Sequence, residues 1–249
     1  RDTDRSRGLG DVYKRQAMER TVVPENFSFR MTDEEYRVLE KIKNSIPVCY
    51  LADHADFALG IVTGNNKKFL SAEKTEHSEM VLKGTDICKY HINPAKQYLR
   101  FEPEQFQQVA PLEIYRAPEK LLYRFISNQL VVAYDDRQML SLNSCNIVIP
   151  KIEGMQIKYI LAILNSSVSQ FVYQKEFHSI KVLRAHMEHI PIPRVGKAIQ
   201  NEIIAMTEPL IHGMGKEAAE TCQKRLDCRI MDLFRLSAEE QWIIRHALH

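Results

Sequence analysis

The hydrophobic period of this chain changes once, near Gly154, and that change limits the folds open to it. Before it, from Phe57 to about Pro150, apolar residues come in short runs: FALGIVTG, KLLYRFIS, QLVVAYDD and NIVIP. Each run is rich in β-branched or aromatic side chains and is bounded by Gly, Asn, Asp or Pro, the pattern of strands. In KLLYRFIS, Leu121, Tyr123 and Phe125 lie on one face, opposite Leu122, Arg124 and Ile126, so the second face carries a cation. After the change, Gln156–Gln174 takes a helical period, with Ile157, Ile160, Leu161, Leu164, Val168 and Phe171 forming one inward stripe. SIKVLRAHMEHIPIP then reads as a short strand, a turn of helix and an extended exit, because Pro191 and Pro193 exclude helix and extend the residues before them. Helices are predicted over Lys197–Ile211 and Lys216–Phe234, with a last one capped by Ser237 and Glu240. The expected fold is therefore α/β of the α+β kind: a mixed or antiparallel sheet with helices, followed by a C-terminal helical tail.

Upstream, Thr32 and Glu35 form a capping box for a helix from Thr32 to Lys43, with Tyr36, Leu39 and Ile42 on one face and Pro47 beyond its end. Residues 1–16 (RDTDRSRGLGDVYKRQ) show no hydrophobic period and look like translated adapter sequence. The natural protein is accordingly expected to extend further upstream. The expected organisation is a leader at 1–16, a helical linker at 17–56, a recognition domain at 57–194 and a helical region at 195–249. No repeat at a fixed period is visible.

Apolar residues make up 45% of the chain and charged ones 27%, which excludes a disordered or fibrous protein. No apolar run approaches the roughly 18–20 residues needed to cross a bilayer, so the expected location is the cytoplasm. Cys49, Cys88, Cys145, Cys222 and Cys228 are odd in number and contain no CxxC pair, which fits reduced thiols, mostly buried. The net charge of +2 is too small to indicate a nucleic-acid partner, but from Lys120 to Arg184 eight Lys or Arg stand against four Asp or Glu.

The motifs of several enzyme classes are missing. There is no Pro-Pro-aromatic turn to hold a flipped adenine and no lysine with an acid two positions before it, as a common metal-dependent nuclease site requires. Neither GxxxxGK[ST] nor HExxH is present. Gly213, Gly215 and Ala218 match GxGxxA, but helix rather than strand precedes them, so they read as an interhelical loop. His186 and His189 lack a third metal ligand at suitable spacing, and Asp135 with Asp136 reads as the cap of a turn. No catalytic residue, metal or cofactor is assigned to this chain.

Five stretches, in order, resemble the TaqI-like C-terminal specificity domain, the target-recognition part of adenine-specific DNA methyltransferases and type IIG restriction–modification enzymes. They are GIVTGNNKKFL (Gly60–Leu70), LKGTDICKY (Leu82–Tyr90), EKLLYRFISNQLVVAYDD (Glu119–Asp136), NSCNIVIP (Asn143–Pro150) and YILAILNSSVSQFVYQKEFHSIKVLRAHMEHIPIP (Tyr159–Pro193). LDCRIMDLFRLSAEEQWII (Leu226–Ile244) is similar to the final helices of those enzymes. The resemblance implies a bacterial protein in which an upstream domain binds S-adenosylmethionine and methylates adenine, while this part selects the sequence on double-stranded DNA. The exit and helices also resemble a type I specificity subunit, and a domain that docks a methyltransferase subunit is a further alternative.

Such a role needs cations and amides for phosphates, and Arg, Lys, Asn or Gln for base edges. Thr63, Gly64, Asn65, Asn66, Lys67 and Lys68 supply both kinds within six residues, although Gly-Asn is also an ordinary strand-to-strand turn. Lys120, Arg124, Arg137, Lys175, His178, Lys181 and Arg184 are the remaining candidates. The expectation is that the Gly64 turn and the Arg124 strand converge on one concave surface.

Overall fold

A computed structural model describes residues 31–177 and 179–248. The leader and the start of the linker segment lie outside these residues, as does His178. Helix α1 (Asp33–Asn44) carries the expected capping box: Thr32 Oγ1 accepts from the Glu35 amide, and the Glu35 carboxylate accepts from the Thr32 amide. A two-residue strand, β1 (Val48–Cys49), follows.

Eight strands then build two four-stranded sheets. β2 (Ala55–Ala58), β6 (Lys120–Arg124), β7 (Val132–Asp135) and β9 (Cys145–Pro150) form an antiparallel sheet in the order β2-β9-β6-β7. β3 (Leu70–Ser71), β4 (Ser78–Leu82), β5 (Gln97–Arg100) and β8 (Leu140–Ser141) form the second, ordered β3-β5-β4-β8, with β4 and β8 parallel. Short helices α2 (Asn66–Phe69) and α3 (Leu112–Tyr115) sit in its connections.

The first sheet is buried on both faces. Leu121, Tyr123, Val132, Tyr134 and Val148 belong to a core shared with the helices, while Leu122, Ala133, Cys145 and Ile147 belong to a core shared with the second sheet. Period-two alternation between two apolar layers explains why the strand sequences read as nearly continuous hydrophobic runs. The face expected to carry a cation is thus apolar at Leu122, with Arg124 at the strand's end.

The helical half consists of α4 (Ile157–Asn165), α5 (Ser167–Phe177), α6 (Arg184–Glu188), α7 (Lys197–Ile211), α8 (Lys216–Leu233) and α9 (Ala238–Ala247). Between α6 and α7, β10 (Ile192–Pro193) pairs antiparallel with β1. α9 has the expected capping box between Ser237 and Glu240. Two expectations need correction. The helix read over Gln156–Gln174 is broken at Ser166, whose backbone is extended (φ −69°, ψ 158°). Its hydroxyl donates to the Ile163 carbonyl (2.7 Å) and accepts from the Ser169 amide (3.2 Å), so it ends one helix and caps the next. The strand read over Phe57–Gly64 stops at Ala58, because Gly60 approaches the 142–145 backbone so closely that a Cβ there would lie 2.1 Å from the Leu142 oxygen. In other respects the chain forms the expected fold, with antiparallel and mixed sheets, packed helices and a helical tail.

Candidate nucleic-acid interface

The Thr63–Lys68 loop is held from inside. Thr63 is buried and its hydroxyl donates to Asn66 Oδ1 (2.6 Å). Gly64 has φ +74°, the left-handed region that glycine adopts without a steric cost. Asn65 caps α2, its Oδ1 accepting from the Lys68 amide (3.2 Å). The loop is therefore a turn entering a short helix rather than a simple strand-to-strand turn, and it leaves Asn65, Asn66, Lys67 and Lys68 exposed.

A second loop, not singled out in the sequence, lies against it. Val62 and Gln108 exchange two backbone hydrogen bonds (2.9 and 3.1 Å), and the Gln107 Cβ lies 3.4 Å from where a Cβ on Gly64 would be. Beneath, Phe106 packs edge-on against Phe69 and Phe101, with centroids 5.1 and 5.7 Å apart. Lys68 Nζ donates to Gln105 Oε1 (2.6 Å). The carboxamides of Gln105, Gln107 and Gln108 stand exposed beside Asn65 and Asn66. No local sequence pattern marks them, because the bridge that brings them in spans more than forty residues of chain.

A groove of about 710 Å³ runs from this pair of loops to α6, lined by Phe57, Leu59, Gln108, Pro111, Ile114 and Arg184 among others. The Arg184 guanidinium stacks over the Phe57 ring at 5.2 Å and pairs with Glu188 (2.7 Å) while staying largely exposed. Lys181 bridges to Ile126 through the backbone, and its amine lies 6.0 Å from the Phe125 ring. Ile126, Ile180 and Leu183 are exposed nearby.

The other candidates do not join this surface. Lys120 is fully buried, donating to Asp135 Oδ2 (2.5 Å) and to the Tyr115 carbonyl (2.6 Å), so it is closed to a phosphate. Burial pulls its amine below the ordinary lysine value, against the opposing pull of Asp135. Arg124 donates to the Gly84 carbonyl (3.0 Å) and to that of Ile87 (2.5 Å), tying the two sheets together. Arg137 is exposed beside Arg116 and Met80, just past the end of β7 where Asp135 faces Lys120 of β6. Lys175 pairs with Glu35 (2.7 Å) and fastens α5 to α1. The expected convergence of the Gly64 turn with Arg124 is not formed; the groove that reaches Gln108, on the loop beside that turn, is instead walled by Arg184.

Among the described residues no cluster of His, Cys, Asp or Glu could hold a metal ion, and no helix is long and apolar enough to cross a membrane. His186 stacks on Phe177 (4.5 Å) and accepts from the Leu183 amide through Nδ1, while His189 Nδ1 is engaged with the Ala185 carbonyl (2.6 Å).

Comparison with known proteins agrees with this architecture. The type IIL restriction–modification enzyme MmeI, solved in complex with DNA, superposes with a TM-score of 0.54 at 11% identity, covering 80% of this chain and 35% of that one. A component of a type I restriction–modification system matches with a TM-score of 0.45 at 12% identity over 96% of this chain and 55% of its own. The HsdS subunit from Thermoanaerobacter tengcongensis gives 0.43 at 13% identity over 97% and 54%. The chain thus spans about half, or less, of the solved proteins it matches. No curated protein sequence matches it. Residues 79–192 match the model of a known family, the TaqI-like C-terminal specificity domain.

Proposed function

We propose that this chain is the non-catalytic, sequence-selecting part of a restriction–modification DNA methyltransferase acting on adenine N6, and that its partner is double-stranded DNA. The family match over residues 79–192 carries the reading. The geometry supports it: the Thr63–Lys68 loop exposes carboxamides and lysines, and the loop paired with it contributes Gln108 to a groove whose lining also holds Arg184. Cations at such a rim neutralise phosphates, and carboxamides supply the paired donor and acceptor that base edges require. The fold is shared with a restriction–modification enzyme solved on DNA. Methylation then belongs to an upstream domain or subunit that holds S-adenosylmethionine, and this chain positions that domain on its site.

An anisotropy titration of a fluorescent duplex at 50 mM salt tests the reading. Binding that weakens linearly in the logarithm of salt concentration is expected, and no binding would overturn it. Calorimetry with S-adenosylmethionine is expected to give no heat, and a saturable signal would place cofactor binding in this chain. A second reading, docking of a methyltransferase subunit, is favoured by the apolar groove between α7 and α8, lined by Ala205, Met206, Pro209, Met214, Ala218 and Cys222. Co-purification with the upstream methyltransferase tests it.

A further inference from the structure

We infer that Gln107 and Gln108 are specificity-determining residues that read adenine in the major groove, an inference that rests on the DNA-recognition reading above. Five carboxamides crowd the two adjoining loops, and three have their oxygens occupied inside the protein. Asn65 Oδ1 accepts from the Lys68 amide, and Asn66 Oδ1 accepts from the Thr63 hydroxyl. Gln105 is engaged at both ends, accepting from Lys68 Nζ and donating to Glu102 (2.6 Å each). It positions Lys68, and its carboxamide is held in place from both ends. Gln107 and Gln108 are exposed, and among the described residues neither side chain makes a hydrogen bond within the protein.

A free carboxamide offers one donor beside one acceptor at the spacing of adenine N6–H and N7, a pairing that no other base presents in the major groove. The platform beneath the two glutamines is rigid. Gln108 is fixed by its two backbone bonds to Val62, Gln107 lies against the glycine turn, and Phe106 between the loops is wedged against Phe69 and Phe101. Holding the backbone this firmly limits the ordering cost of the contact to the glutamine side chains. Lys67 and Lys68 are exposed on the adjoining loop, and Gln108 shares its groove with Arg184. Of the acids on this loop, Glu102 is paired with Arg100 (2.7 Å) and Glu104 is exposed.

The test is selection of duplexes from a randomised library by the full 249-residue chain, and by Gln107→Ala, Gln108→Ala and Lys67→Ala, with circular dichroism as a check on folding. The parent chain is expected to enrich A·T pairs at fixed positions. Each glutamine variant should lose preference at one position, with discrimination falling about ten-fold, while affinity for unselected duplex and its salt dependence stay unchanged. Lys67→Ala should weaken binding to all duplexes alike. If the chain selects a sequence and both glutamine variants keep the same preference, the inference fails while DNA recognition stands. If the parent chain binds no duplex at all, DNA recognition fails and the inference with it.

Discussion

Lys120 and Asp135 face each other directly across β6 and β7, and neither side chain is exposed to solvent. The carboxylate also accepts from the Arg137 and Met139 amides (3.0 Å each), so the pair organises the turn after β7 as well as the strands. Removing one partner strands the other charge in the core, so Lys120→Met is expected to cost about 3–5 kcal/mol in urea unfolding. Asp135→Leu added to Lys120→Met should recover only part of this, because the two amides lose their acceptor. The thiols differ for a related reason. Burial raises the pKa of Cys145 far above the ordinary thiol value, whereas Cys228 is exposed. A thiol reagent at neutral pH should modify Cys228 in the native protein and Cys145 only on unfolding. Burial lowers the pKa of His186 below its ordinary 6.5, with the nearby His189 acting in the same direction. The folded state therefore favours the neutral ring, the unfolded chain binds more protons just below pH 6.5, and stability should fall as pH drops through that window. A Tm that is flat from pH 7 to pH 5 would contradict this.

Whole elements depend on a few polar contacts that the sequence shows unevenly. Both capping boxes were legible because their partners are three residues apart, and β6, β7 and β9 because their apolar runs are long. The second sheet was not legible, since SEMVL and QYLR are short, polar at one end and stabilised by distant pairing. The break at Ser166 escaped the periodicity because α4 and α5 keep their apolar faces on one core across it. The Asn165 carboxamide just before the break accepts from the Val132 amide (3.0 Å) and donates to the Val132 carbonyl (2.8 Å) on the outer edge of β7. Gln170 accepts from the Leu130 amide (2.9 Å). Helix side chains thus cover an edge that would otherwise present unpaired backbone groups. Asn165→Ala should cost about 1–3 kcal/mol by leaving a buried amide without an acceptor. Ser166→Ala should cost about 1 kcal/mol through loss of the cap. Thermal unfolding of the two variants measures both.

Across the whole molecule, candidate cations chosen for their place in the sequence proved to have three different roles. Lys120 and Arg124 hold strands and sheets, Lys175 holds α1 to α5, and Lys67, Lys68, Lys181 and Arg184 remain at the surface, Arg184 in the wall of the groove. Type and spacing alone could not separate them, because what distinguishes them is the acceptor that folding brings within reach. The proposed interface makes the distinction measurable. Replacing both Lys67 and Lys68 by Ala should reduce the salt slope of duplex binding by about 1–2, whereas Lys175→Ala should leave it unchanged and lower only stability.

The β1–β10 pairing draws residues 48 and 193 together, and the Arg194 amide donates to the Pro47 carbonyl beside it (2.9 Å). The segment from residue 50 to residue 191 therefore leaves and returns at adjacent strands, while its helices α4 and α5 also share a core with α1, α7 and α8. A segment anchored in this way can change in its sheets and loops without altering the path of the chain on either side, provided that the apolar face of α4 and α5 is kept. New preferences for a partner then require that a replacement close at the same two strands and refill the same helical core.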